Sequence, residues 1–261
     1  MLNKLKLSFS IVTYNNQNEI RKIINNINDV VRDYDYVIYV IDNGSIDATV
    51  LEVNELIGNN DRIKLLKSAN LGFGHGHNLV LGLLESDYHF IVNPDIILPN
   101  EKDNLNNMLD FLEKNKDVGL LTPQIRNQDG SVQLLLRNEP TVFDASIRFM
   151  GKNLFKKRQN KFINLESGYN KIMETQNATG CFMVFRSNVF QQINGFDPRY
   201  FMYYEDSDIT KKTKKVAKTI FFPFSYVTHQ WQRDNKKKIK FVYINIMSLI
   251  KFMNKWGWKL Y

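Results

Sequence analysis

The sequence predicts an α/β protein whose first half is Rossmann-like, and two observations carry that prediction. Over residues 1–122, apolar β-type runs alternate with amphipathic helical stretches, the pattern of strands joined by crossover helices. Polar, turn-forming residues also gather directly after successive strands, where open α/β sheets bind their ligands. With 261 residues, 43% of them hydrophobic, the chain is long enough for one domain with a substantial core.

Leu7–Thr13 is a continuous apolar run and reads as the first strand. In Gln17–Arg32 the side chains of Ile20, Ile23, Ile24, Ile27, Val30 and Val31 recur at helical spacing and form one stripe. Tyr36–Ile41 is β-branched and aromatic, a second strand. A helix at Ala48–Ile57, a strand at Arg62–Lys67, a helix from about His75 to Glu85 and a strand at Tyr88–Val92 continue the alternation. A helix near Glu101–Lys114 and a strand at Val118–Leu121 complete this half.

Beyond residue 122 the pattern is less regular. Asn127-Gln-Asp-Gly130 is a hairpin turn signal, and residues 152–170 are polar, basic and turn-rich, the composition of a mobile loop. Thr179–Arg186 reads as a strand and Asn188–Ile193 as a short helix. Glu205–Val216 reads as a helix whose acidic first turn and lysine-rich last turn match the macrodipole. A strand at Thr219–Phe222 precedes an amphipathic helix at Lys236–Trp256. On that helix Lys237, Lys240, Ser248, Lys251 and Lys255 share one side, and Ile239, Val242, Ile246, Leu249, Ile250 and Met253 cover much of the rest. No repeat or low-complexity linker interrupts the chain. The expected organisation is one domain with a ligand-binding half at 1–122, a second half at 123–235 and a basic helix at 236–261.

Charge and cysteine usage narrow the function. The net charge is +8, but residues 211–261 hold 12 Lys and one Arg against the single acid Asp234, which leaves about −4 for the remainder. No nucleic-acid-binding motif accompanies this basic end, so nucleic acid is not expected as a partner. The helix is expected either to dock on the core with its lysines solvated, or to touch anionic lipid, with Trp256 and Trp258 close by. Cys181 is the sole cysteine, which excludes an intramolecular disulfide, and no Cys/His cluster has zinc-ligand spacing. There is no signal-peptide pattern and no run of 18 uncharged apolar residues, so a cytoplasmic protein is expected.

The candidate site residues follow the strands. Thr13-Tyr14-Asn15-Asn16 follows the first, Asp42-Asn43-Gly44-Ser45 the second, Asn70-Leu-Gly72-Phe-Gly74-His-Gly76-His-Asn78 the third and Asn93-Pro94-Asp95 the fourth. Each is good turn chemistry in its own right. The glycines could bring backbone amides close to a diphosphate or could serve tight packing. Asp95 is the sharpest single residue, because a hard divalent cation takes one or two carboxylates together with substrate phosphates. Glu205, Asp206 and Asp208 open a helix; successive acids point to different sides, so one can face a cleft and act as a base while a neighbour is tied into the scaffold. His229 follows an apolar strand that ends in Phe221-Phe222-Pro223; a lone histidine is more often structural than ligating.

Taken in order, the segments SIVTYN (10–15), IDNGSID (41–47), NLGFGHGHN (70–78), NPDI (93–96), TGCFMVFR (179–186), GFDPRYFMYYEDSDI (195–209) and His229 resemble the family 2 glycosyltransferases, in particular their rhamnosyltransferase-like bacterial members. The resemblance implies a GT-A fold with a mixed central sheet, a nucleotide-sugar-binding first half and an acceptor-binding second half. It implies that Thr13, Tyr14 and Asn15 line the nucleoside pocket, that Asp42 binds the base, and that Asn70, Gly72 and Gly74 lie along the donor. Asn43, Asn78 and Asn93 join them on the donor side. Asp95 matches the metal-binding acid of the family's DXD motif, whose first acid is here Asn93. Asp206 matches the catalytic base, supported by Glu205 and Asp208, and His229 matches a histidine that completes the metal site in some relatives. The implied activity is metal-dependent (Mn2+ or Mg2+) inverting transfer of a sugar from a nucleoside-diphosphate donor, dTDP-rhamnose first and a UDP-hexose second. The implied acceptor is a surface polysaccharide or lipid-linked oligosaccharide, reached at the inner face of the cell membrane. The competing readings are a sugar nucleotidyltransferase, which would want Arg and Lys among glycines after the first strand, and a non-catalytic nucleotide-sugar-binding module.

Overall fold

A computed structural model describes residues 5–58, 60–150, 155–230 and 239–261. Four strands, β1 (Lys6–Thr13), β2 (Asp35–Asp42), β3 (Ile63–Lys67) and β4 (Tyr88–Val92), lie parallel in the order β3-β2-β1-β4. Helices α1 (Ile20–Val31), α2 (Thr49–Ile57) and α3 (Phe73–Asn78) connect them. The isoleucine stripe explains α1: Ile20, Ile23, Ile24, Ile27 and Val31 are all buried against one sheet face with Leu7, Phe9 and Ile11 of β1. The alternate residues of the strands, among them Ile41 and Ile91, pack into a second cluster on the opposite face.

The sheet then changes direction. After the two-residue β5 (Ile96–Ile97) and α4 (Lys102–Lys114) comes β6 (Val118–Arg126); after α5 (Val142–Met150), α6 (Lys156–Phe162) and β7 (Met173–Glu174) comes β8 (Phe182–Arg186). β8 inserts antiparallel between β4 and β6, and β9 (Lys218–His229) runs parallel to β6 on its far side. β5 and β7 pair antiparallel with β9. Because β8 runs against its neighbours, its beginning lies at the same edge where β1, β2, β4 and β9 end. The mixed sheet therefore collects loops from both halves of the chain along one edge.

Several expectations are corrected. The helix expected from His75 to Glu85 is broken into α3 and a short 3-10 turn at Leu81–Leu83. Asn78 at its break is clamped to the backbone of Phe196, donating to the carbonyl at 2.8 Å and accepting from the amide at 2.8 Å, which stops the helix from continuing. The expected loop at 152–170 contains α6, whose Arg158 pairs with the buried Asp144 at 2.6 Å. The final strand is longer than Thr219–Phe222 and has His229 as its last residue. Residues 151–154 and the start of the expected basic helix, Lys237 included, lie outside the described residues.

The described part of that helix, α9 (Ile239–Trp256), docks on the core by the face expected to be solvated. The Ser248 hydroxyl donates to the carbonyl of Met202 at 2.8 Å, Lys251 to that of Arg199 at 2.6 Å, and Lys255 bonds both Asp197 (2.7 Å) and Asp208 (2.8 Å). The reason is electrostatic: two carboxylates in a poorly hydrated place require a counter-charge, and these lysines supply it. The outward face carries Ile239, Tyr243 and Ile246, all exposed.

Candidate active site

The edge defined by the sheet reversal carries Asp95 and His229 and, across Gly180-Cys181 just before β8, Asp206. Asp95 lies between β4 and β5, and because β5 pairs with the end of β9, Ile96 is in register with His229. This places Asp95 Oδ2 at 3.3 Å from His229 Nε2. The other carboxylate oxygen, Oδ1, is buried and has no hydrogen-bond partner. A buried carboxylate oxygen left unpaired is costly in an apoprotein and suits a cation ligand. Among the described residues no group of three or more His, Cys, Asp or Glu side chains converges as a metal cage. Asp95 and His229 could thus offer a divalent cation one carboxylate and one imidazole, the remaining ligands being left to phosphate and water.

Asp206 opens α8 (Glu205–Thr213). The turn before it is strained: Tyr203 and Tyr204 have φ of 70° and 64°, a left-handed conformation that costs about 1–3 kcal/mol at a bulky residue. α9 holds that turn through Ser248 on Met202 and through Phe252, whose ring lies 5.8 Å from that of Tyr204. The three acids then part ways. Asp208 is fully buried and neutralised by Lys255 and by the Trp256 indole N–H at 2.7 Å. Glu205 is buried with Oε2 unpartnered, and burial together with the neighbouring Asp206 charge pushes its carboxyl up to about 8. Asp206 is partly exposed and accepts the Ser207 amide at 2.7 Å. Burial raises its carboxyl too, while the Arg137 charge and the amides of Ser207 and Gly180 act in the opposite sense.

Cys181 joins the two acids. Its carbonyl accepts the amide of Asn93 at 3.0 Å, next to Asp95, while the preceding Gly180 donates its amide to Asp206. Burial pushes the Cys181 thiol up to about 12, and the charges of Asp95 and Asp206 both add to the shift, so both carboxylates act on one sulfur. Such a thiol is protonated and inert at neutral pH.

The donor-side candidates are arranged differently, because their polar atoms are largely committed to one another. Asp42 accepts the amides of Gly44 and Ser45 at 3.2 Å and closes its own turn. Asn15, in a left-handed conformation (φ 57°), accepts the Ile46 amide at 2.9 Å and has its own amide bonded to Ser45 Oγ. Thr13 donates to Asn16 at 3.2 Å, and Tyr14 is half exposed above this pair of loops. Asn43 bonds the Gly72 carbonyl at 3.4 Å but keeps a buried, unpartnered Oδ1, and Asn70 is exposed. The glycines have packing reasons to be glycine. Gly72 has φ 112° and a Cβ there would strike the backbone of Phe201, while one at Gly74 would strike Phe196. The glycine loop and the acidic segment 195–209 are therefore in direct contact, and Phe73 donates its amide to the Phe201 carbonyl at 3.1 Å.

Three residues at this site escape sequence reasoning. Gln133, Arg137 and Glu139 come from the segment that follows the 127–130 hairpin, where the expected turn is present with Gly130 at φ 81°. Gln133 bonds His229, Arg137 acts on Asp206, and Glu139 pairs with Lys211 of α8 and Lys259. No local pattern marks them, because each has its partner far away in sequence.

Comparisons with known proteins agree with this architecture. The sequence model described as glycosyl transferase family 2 matches residues 8–193, and one described as the N-terminal domain of galactosyltransferase matches residues 161–231. The chain is 27% identical to rhamnosyltransferase WbbL of Escherichia coli (strain K12), over 87% of this chain and 84% of that one. It is 28% identical to N-acetylglucosaminyl-diphospho-decaprenol L-rhamnosyltransferase of Mycobacterium tuberculosis (strain ATCC 25618 / H37Rv), over 74% of this chain and 66% of that one. Among solved structures, a Pyrobaculum calidifontis mannosyltransferase in complex with GDP-Man and Mn2+ superposes with a TM-score of 0.68 at 17% identity. The match covers 97% of this chain and 64% of that one, so the chain spans just under two thirds of its length. GalNAc-T7 with UDP, GalNAc and Mn2+ superposes with a TM-score of 0.70 at 13% identity, over 97% of this chain and 48% of that one. The fold is of the GT-A type.

Proposed function

The chain belongs to glycosyl transferase family 2, and from that premise we propose that it is an inverting, metal-dependent transferase moving a sugar from a nucleoside diphosphate to an acceptor hydroxyl. The observation that carries this reading is that Asp95 and Asp206 flank one short segment: Gly180 lies against Asp206, and the next residue, Cys181, accepts the amide of Asn93, two residues before Asp95. Asp95 keeps a buried oxygen without a partner, and Asp206 is partly exposed.

Asp95 and His229 would hold a divalent cation, Mn2+ or Mg2+, which when bound supplies positive charge for the departing diphosphate. Asp206 accepts the proton of the acceptor hydroxyl as that oxygen attacks the anomeric carbon. The bond from that carbon to the diphosphate oxygen breaks on the opposite face, its electron pair leaves with the diphosphate, and the configuration inverts. A raised carboxyl suits this role, because a base works best when its pKa lies near the working pH. Glu205 stays protonated beside it, so the two acids do not both carry charge in one desolvated place. Residues 1–122 form the donor half in this reading and 123–235 the acceptor half. Thr13, Tyr14, Asn15 and Asp42 lie by the nucleoside, and Asn43, Asn70, Gly72, Gly74, Asn78 and Asn93 lie along the donor. Asn78, whose amide is tied to Phe196, would act there by shaping the loop.

Relatives named as rhamnosyltransferases favour rhamnose as the sugar transferred; the proposed donor is dTDP-rhamnose, with a UDP-hexose second. A thermal-shift panel of nucleotide-sugars, with and without Mn2+ or Mg2+, tests both donor and metal, since a ligand that binds only the folded state raises its melting temperature. Asp95→Ala is expected to abolish the metal-dependent part of the donor shift. An unchanged shift in that variant would remove Asp95 from the metal site.

The acceptor is proposed to be a growing surface glycan or lipid-linked oligosaccharide met at the inner face of the cell membrane. Supporting this are the local +12 of residues 211–261 and the exposed Ile239, Tyr243 and Ile246 on α9. No helix among the described residues is long and apolar enough to cross a membrane. Co-sedimentation with vesicles of anionic lipid should fall when Ile239 and Ile246 are both changed to Glu; equal binding by that variant would rule out this face.

A further inference from the structure

We propose that Gln133 is a positioning residue that sets the tautomer of His229 and so aims its Nε2 at the cation; the inference rests on the reading of Asp95 and His229 as the metal site. Gln133 is 6% exposed and its amide spans the histidine. Its Nε2 donates to the backbone carbonyl of His229 at 2.9 Å and to Asn127 Oδ1 at 2.8 Å, and its Oε1 lies 3.1 Å from His229 Nδ1. A backbone carbonyl can only accept, so the NH2 end of the amide must face it and the oxygen must face the ring. An amide oxygen also only accepts, so Nδ1 carries the hydrogen.

With Nδ1 on Gln133, Nε2 is the ring nitrogen that faces Asp95 Oδ2, at 3.3 Å. Asp95 Oδ1 is buried with no hydrogen-bond partner, which suits a cation ligand, and a cation held there would take the carboxylate and the imidazole together. A ligating histidine ordinarily has its other nitrogen fixed by such a hydrogen bond, and loss of the partner typically lowers metal affinity 10–100-fold. The hairpin closed by Gly130 serves this purpose: it returns the chain so that Gln133 donates its amide to the Ile125 carbonyl at 2.8 Å, alongside the last residues of β9.

The test is Mn2+ binding to the full chain in the presence of a nucleoside diphosphate, read by electron paramagnetic resonance of free and bound ion. Gln133→Leu is expected to weaken Mn2+ about 10–100-fold, approaching the affinity of His229→Ala, while metal-free nucleotide binding stays constant. Wild-type affinity in Gln133→Leu would overturn the role of Gln133 with the metal site intact. Failure of the wild-type chain to bind Mn2+ would instead overturn the metal reading itself. A second measurement needs no variant: 15N-histidine NMR of the metal-free protein should report His229 as the Nδ1–H tautomer, and an Nε2–H tautomer would end the proposal.

Discussion

Two groups of acids in the second half of the chain share one short stretch and meet opposite fates. Asp197 and Asp208 sit against α9, where Lys255, Arg199 and Trp256 satisfy them, and the hydrogen bonds from Arg199 and Lys255, working against burial, hold Asp197 well below the usual carboxylate range. Glu205 and Asp206, on the same helical turn as Asp208, are pushed the other way, since burial outweighs the few donors available to them. The contrast separates scaffold from chemistry better than composition does. An acid whose oxygens are all matched to cations and N–H groups has no capacity left for a substrate. An acid kept poorly solvated and incompletely matched has.

The largest expected effect breaks the second group. Asp206→Asn preserves shape and removes the base, so turnover should fall about 10²–10⁴-fold with donor affinity nearly unchanged; a fully active variant would refute the assignment. Breaking the first group should cost stability instead. Lys255→Met leaves Asp208 buried without its ammonium partner, and urea unfolding should show a loss of about 3 kcal/mol.

Glu205→Gln sharpens the comparison through pH. The folded protein keeps the Glu205 proton up to about 8, whereas the unfolded chain releases it near the ordinary glutamate value of 4.5. Between these values the native state binds more protons, so stability falls as pH rises through that window. Glutamine cannot ionise and escapes the penalty. The variant should melt above wild type at pH 8, by an amount on the order of 1 kcal/mol or more, with the advantage vanishing toward pH 4.5. The smallest effect is Ser248→Ala, which removes one bond to the strained turn and should cost about 1 kcal/mol in the same urea assay.

Much of this architecture is legible in the residues. The first four strands and α1 declare themselves because each is a short run rich in apolar residues or a stripe at helical spacing, and in α1 burial follows the stripe. Of the residues singled out for metal and base, Asp95 and His229 lie 3.3 Å apart and Asp206 flanks the same Gly180-Cys181 segment as Asp95, a nearness that comes from the sheet reversal and not from any local pattern. What could not be read depends on distant pairing. Gln133 gains its meaning from His229, 96 residues away, and α9 presents lysines inward because the acids beneath are invisible to periodicity. The helix expected at His75–Glu85 fails for the same reason, since the clamp that stops it is Phe196.

The docking of α9 changes how its outer face can be interrogated. Ser248, Phe252, Lys255 and Trp256 brace the turn that presents Asp206, so a shortened chain would lose the proposed acceptor activation together with the proposed affinity for lipid. Such a truncation would confuse a broken enzyme with a detached one. Only changes confined to Ile239, Tyr243 and Ile246 can tell where the protein works without altering whether it works.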